Sequence, residues 1–137
     1  MTTRGARRPV IGAMVVAGVV LSGCAAQSGD PAADRARHFY AALAADDAAT
    51  ACADLASEAR KALAQQEGKP CEEVILDQDL PETVETGKAE VYGSMAQVAY
   101  ADETAFLSRY GDEWLLTAVG CPPASGDTPH DCAIEVG

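Results

Sequence analysis

The stretch KAEVYGSMAQVAYADETAFLSRYGDEWLLTAV (88–119) decides the fold class. Within it, Lys88–Gly93, Met95–Ala101, Thr104–Tyr110 and Glu113–Val119 are short runs rich in Val, Tyr, Phe, Leu and Thr. Such residues suit a pleated, half-buried strand. Asp102-Glu103 and Gly111-Asp112 punctuate the runs, and four short strands with turns this tight predict an antiparallel meander.

Upstream of Pro81 the pattern changes to a helical one. Asp30-Pro31 offers a cap followed by proline at the first helical position. Ala36, Phe39, Tyr40, Leu43 and Asp47 follow the i, i+3, i+4, i+7 spacing, apolar until the last, so one face of residues 31–45 is expected to be buried. Asp46-Asp47 can end this helix and cap a second over Ala48–Leu55. Ser57-Glu58-Ala59-Arg60 opens a third, running to Gln66 and stopped by Gly68-Lys69-Pro70. Cys71–Leu76 is expected to add a further helical turn. Helices first and strands afterwards define an α+β domain with the helices on one face of the sheet. A loop follows Gly120, and Ala133–Val136 is a candidate terminal strand.

The first 23 residues read differently. Arg4, Arg7 and Arg8 precede the 12 uncharged residues Val10–Leu21, a length that fits a secretory signal and falls short of the roughly 20 residues of a spanning helix. Leu21-Ser22-Gly23-Cys24 resembles the lipobox of bacterial lipoproteins. That resemblance implies cleavage before Cys24, a diacylglycerol on its thiol and a place on the outer face of the cytoplasmic membrane. An ordinary secretory signal is the alternative, and Arg7-Arg8-Pro9-Val10-Ile11 also resembles a twin-arginine export signal. The expected organisation is a signal peptide over 1–23, a lipidated tether over 24–30 and one α+β domain over 31–137.

Three of the ten basic residues lie in that signal and none of the 21 acidic ones do, so the remainder carries seven against 21, a net charge of −14. Such a surface repels nucleic acid and anionic headgroups. With Cys24 assigned to lipid, four cysteines remain in an oxidising compartment, and they allow three pairings. The sequence-local pairing, Cys52–Cys71 with Cys121–Cys132, is expected; it closes loops of about 20 and 12 residues, each contributing roughly 3 kcal/mol. Zinc is disfavoured, because there is no Cys-x-x-Cys pair and neither histidine has a second ligand at helical spacing. No metal or cofactor is implied.

The order of elements resembles the cystatin-like, nuclear-transport-factor-like fold, and more narrowly the small actinobacterial lipoproteins of that superfamily. The residues carrying the likeness are Ala-Cys-Ala-Asp-Leu-Ala-Ser-Glu-Ala-Arg (51–60), Pro-Cys-Glu-Glu (70–73), Gly-Asp-Glu-Trp-Leu-Leu-Thr-Ala-Val-Gly-Cys-Pro-Pro (111–123) and Asp-Cys (131–132). The resemblance implies N-terminal helices packed on a curved antiparallel sheet of four to five strands. It implies no particular activity.

No assigned chemistry stands out. His38 belongs to the polar face of the first helix, with Asp34 four residues earlier as its expected partner, and His130 falls in the C-terminal loop. A calcium loop begun at Asp77 fails, since its sixth and twelfth positions are Glu82 and Lys88 rather than Gly and Glu. There is no nucleophile elbow or phosphate loop. The leading expectation is a non-catalytic binding or interaction module. Its partner would be an envelope protein, or a small apolar ligand in a pocket near Phe39, Tyr40, Tyr92 and Trp114. The alternative is a small isomerase or dehydratase, as cystatin-like folds include, using Tyr40 or Tyr92 with a carboxylate such as Asp47.

Overall fold

The computed structural model describes residues 30–81, 85–123 and 131–136. The expected signal peptide and the expected lipidated tether, Cys24 included, lie outside the described residues up to residue 29, as does His130. Four α-helices precede five strands: α1 (Asp30–Ala44), α2 (Ala48–Asp54), α3 (Ser57–Glu67), α4 (Cys71–Val74), then β1 (Lys88–Tyr92), β2 (Met95–Ala99), β3 (Thr104–Tyr110), β4 (Glu113–Cys121) and β5 (Ile134–Glu135). A 3-10 turn over Ile75–Asp77 follows α4. The strands form one antiparallel sheet in the order β1-β2-β3-β4-β5. The α+β class and the meander expected from residues 88–119 are therefore present. Among the described residues, no helix is long and apolar enough to cross a membrane.

Local chemistry explains the boundaries. Leu43 O accepts from Asp46 N and Asp46 takes a left-handed φ of 56°, which turns the chain out of α1. Asp47 then caps α2, its carboxylate accepting from Thr50 N at 3.1 Å and from Thr50 Oγ1 at 2.6 Å. Gly68, at φ 69°, closes α3 with its amide donating to Ala64 O, the usual left-handed helix ending.

The core is one cluster between helices and sheet. From α1 come Ala32, Ala36, Phe39 and Tyr40; from α2 and α3, Ala51, Leu55, Ala59 and Leu63. The sheet contributes Ala96, Val98, Leu107, Trp114, Leu116 and Val119. Alternation along β2 sends Ala96 and Val98 inward and leaves Met95 exposed, the signature of a sheet covered on one face. Both sequence-local disulfides are present, Cys52–Cys71 and Cys121–Cys132. The first lies in the core, where Cys52 and Cys71 are both buried, and it ties α2 to the start of α4. The second fastens residue 132 to the end of β4.

Candidate functional site

At the end of the sheet where α1 finishes, three ionisable side chains meet. Tyr40 comes from α1, Tyr100 follows β2, and Glu103 precedes β3. The turn that carries the last two is closed by Tyr100 N donating to Glu103 O at 2.8 Å. The ring of Tyr40 meets Phe39 edge-on at 5.1 Å and Tyr100 edge-on at 5.4 Å. Tyr40 is 1 % exposed and Glu103 is 3 % exposed. The Tyr40 hydroxyl, the Tyr100 hydroxyl and both Glu103 oxygens are shielded from solvent without a well-formed hydrogen bond among the described residues. Buried polar atoms are partnered in the great majority of cases, and the neighbours at hand for these are one another and the Gly120 amide.

The electrostatics follow from that burial. Desolvation pushes the Glu103 carboxyl above its ordinary range, against weaker opposing help from the Tyr40 hydroxyl and the Gly120 amide. Tyr40 is raised far above a free phenol, first by desolvation and then by Glu103 beside it. Tyr100 is pushed up to about 12 by desolvation and Glu103, with Arg37 opposing. Burial thus shifts all three groups toward their neutral forms relative to the free side chains.

Two clefts flank this group. The first, of about 310 Å³, is lined by Tyr40, Leu43, Ile75, Leu76 and Leu80 among others. The second, of about 420 Å³, is lined by Asp79, Asp102, Glu103, Gly120 and Asp131 among others. Leu80 and Pro81 border both. The first sets the apolar side chains of Leu43, Leu76 and Leu80 beside polar Asp46 and Gln78, and the second is acidic. Gly120 is required between them: its φ is 66° and a Cβ there would stand 2.8 Å from Leu80 Cδ2 and 2.8 Å from Ala133 Cβ.

The four residues expected to line a pocket are not gathered. Phe39 and Tyr40 are adjacent and buried, but Tyr92 is 64 % exposed at the β1–β2 hairpin, its hydroxyl donating to Glu90 at 2.8 Å. Trp114 packs on the inner side of β4 beneath Arg109, whose guanidinium carbon stands 5.6 Å from the ring centroid. Tyr92 pairs with Met95 in register at the hairpin, and that register sends its ring outward. Asp47 is likewise removed from the phenols, because capping α2 employs both of its oxygens. The carboxyl that meets Tyr40 is Glu103.

A second polar constellation ties α1 to α2. Asp54, 2 % exposed, accepts from Arg35 Nη1 at 2.6 Å and from His38 Nδ1 at 2.5 Å, while Arg35 Nη2 reaches Glu113 at 2.7 Å. The partner of His38 is thus Asp54 and not Asp34, which instead pairs with Arg37 at 2.9 Å. Among the described residues no group of three or more His, Cys, Asp or Glu could hold a metal ion. Compared with protein-family models, curated proteins and solved structures, the chain matches none.

Proposed function

We propose that this chain is a lipid-anchored, extracytoplasmic binding domain, held to the outer face of a bacterial cytoplasmic membrane through diacylglycerol on Cys24, with a cystatin-like domain that acts without catalysis. The lipobox-like Leu21-Ser22-Gly23-Cys24 supports the anchor, and helices followed by a five-stranded meander support the fold. One observation carries the binding role: the Glu103 carboxyl and the Tyr40 and Tyr100 hydroxyls gathered out of solvent between a mixed cleft and an acidic one.

The ligand that fits is a small amphipathic molecule. Its apolar body would lie along Leu43, Leu76 and Leu80, and an ammonium head would sit among Asp79, Asp102 and Asp131 with Glu103 behind it. An anionic head is repelled by the same carboxylates. Titration with alkylamines, alcohols and carboxylates of one chain length tests this. The amine is expected to raise the melting temperature, the carboxylate to leave it unchanged, and Glu103→Gln to weaken the amine's effect. Equal response to all three, or to none, ends the proposal.

The meeting of Tyr40 with Glu103 favours one further reading, an acid–base enzyme of the isomerase or dehydratase type with Glu103 in the place first given to Asp47. Such an enzyme would lose turnover in Glu103→Gln and Tyr40→Phe alike.

A further inference from the structure

We infer that the end of the sheet carrying Tyr92, Met95 and Tyr110 is the surface that rests in the headgroup region of the membrane, an inference that stands on the lipid-anchor reading above. Five large apolar side chains are exposed among the described residues: Leu76, Tyr92, Met95, Tyr110 and Val136. Leu76 lines the first cleft and Val136 follows β5. The other three share one end of the molecule. Tyr92 and Met95 face each other across the β1–β2 hairpin, Met95 is opposite Ser108, and Tyr110 is opposite Glu113 at the start of β4. Arg109 N donates to Ser94 O at 2.8 Å, which binds the two hairpin ends together. Their exposures are 64 %, 56 % and 43 %.

The tether leads to this same end. Arg35, in the first half of α1, is fastened to Glu113 beside the β3–β4 turn at 2.7 Å, whereas Tyr40 points to the opposite end with Tyr100 and Glu103. Cys24 precedes Asp30 by six residues, a span of at most about 20 Å. An acylated Cys24 therefore keeps the start of α1 close to the bilayer, and the hairpin ends with it. Tyrosine suits this position: its ring partitions into the interface while its hydroxyl stays wet. Charge does not supply the attraction, because Glu90, Asp112 and Glu113 stand nearby and the chain is strongly acidic. The contact is apolar and interfacial, and zwitterionic lipid suffices. The ligand clefts then face away from the membrane.

The test uses the full lipidated chain on phosphatidylcholine vesicles containing lipid brominated high on the acyl chain. Tyr92→Trp and Ala101→Trp are compared with the unsubstituted chain, whose single tryptophan is Trp114. Both positions are exposed, so both variants keep the fold, checked by circular dichroism. Tyr92→Trp is expected to lose most of its added emission to bromine and to shift to the blue, while Ala101→Trp keeps its emission. If the vesicle-bound chain shows no quenching of Tyr92→Trp, or equal quenching at both positions, the surface is wrong although the anchor stands. If the chain carries no acyl group and does not float with vesicles, the anchor falls, and this surface falls with it.

Discussion

Asp54 meets the Arg35 guanidinium and the His38 ring at once, and it is buried whereas His38 is mostly exposed. Removing a buried member of an ion pair leaves its partners uncompensated, which costs about 3 kcal/mol or more. Asp54→Ala is therefore expected to lower stability by about that amount, while His38→Ala costs far less because its imidazole is 59 % exposed and returns to water. Urea unfolding of both variants separates the two; equal losses would mean that His38, rather than Arg35, is the principal partner. Glu103 gives the pH dependence. Burial raises its folded pKa above the ordinary value of 4.5, so the folded state binds the proton more tightly than the unfolded chain. Its contribution to stability is fully present below 4.5 and is lost as pH rises through the raised value. Asp47 and Glu58 are shifted the other way, by Thr50 and by the helix start respectively, but both are exposed. Unfolding measured from mildly acidic to neutral pH is expected to show Glu103→Gln gaining stability at neutrality and losing slope in that window. A parent-like slope in the variant would remove Glu103 as its source. Neither residue was legible in the sequence. Asp102-Glu103 looks like turn punctuation facing water, and the partner of His38 lies 16 residues away on another helix.

At the scale of elements the sequence is more informative, because short alternating runs and caps act locally. The helices begin and end at Asp47, Gly68 and Pro70 as their capping chemistry requires. Strand limits moved for reasons that are not local. β2 stops at Ala99 rather than Ala101, since Tyr100 turns to pair with Glu103. β4 continues past Val119 to Cys121 because β5 and Ala133 lie along its far edge. The disulfide between Cys52 and Cys71 joins elements 19 residues apart, and a loop of that length contributes about 3 kcal/mol through the unfolded state. Replacing both by alanine is expected to lower stability by that order, read in urea, with the far-ultraviolet spectrum unchanged. A loss several times larger would mean that the bridge supports packing beyond its loop. Gly120→Ala tests the strand end from the other side. It is expected to destabilise, because a Cβ meets Leu80 and Ala133 in a left-handed backbone, and a neutral result would show that the 80–81 segment yields freely.

The whole molecule places its polar features asymmetrically. The Arg35–Asp54–Glu113 network anchors α1 at one end, and the Tyr40–Glu103 group with its acidic cleft lies at the other. Composition could show only the excess of negative charge, since the folding of Asp79, Asp102 and Asp131 around one cleft depends on contacts between distant segments. Like charges drawn together repel, and the compact state bears more of that repulsion than the extended one. Salt at about 0.15 M shortens the screening length to about 8 Å. It therefore weakens this repulsion between solvated carboxylates more than it weakens the buried pairing at Asp54. The melting temperature of the domain is expected to rise as potassium chloride is added from low ionic strength to that level. The alkylamine that fits the acidic cleft should give its largest stabilisation at low salt, where the head group relieves the most repulsion. Calorimetric scans with and without the amine read both effects. A melting temperature that falls with salt would show instead that exposed ion pairs, such as Arg37–Asp34, outweigh the carboxylate repulsion across the domain.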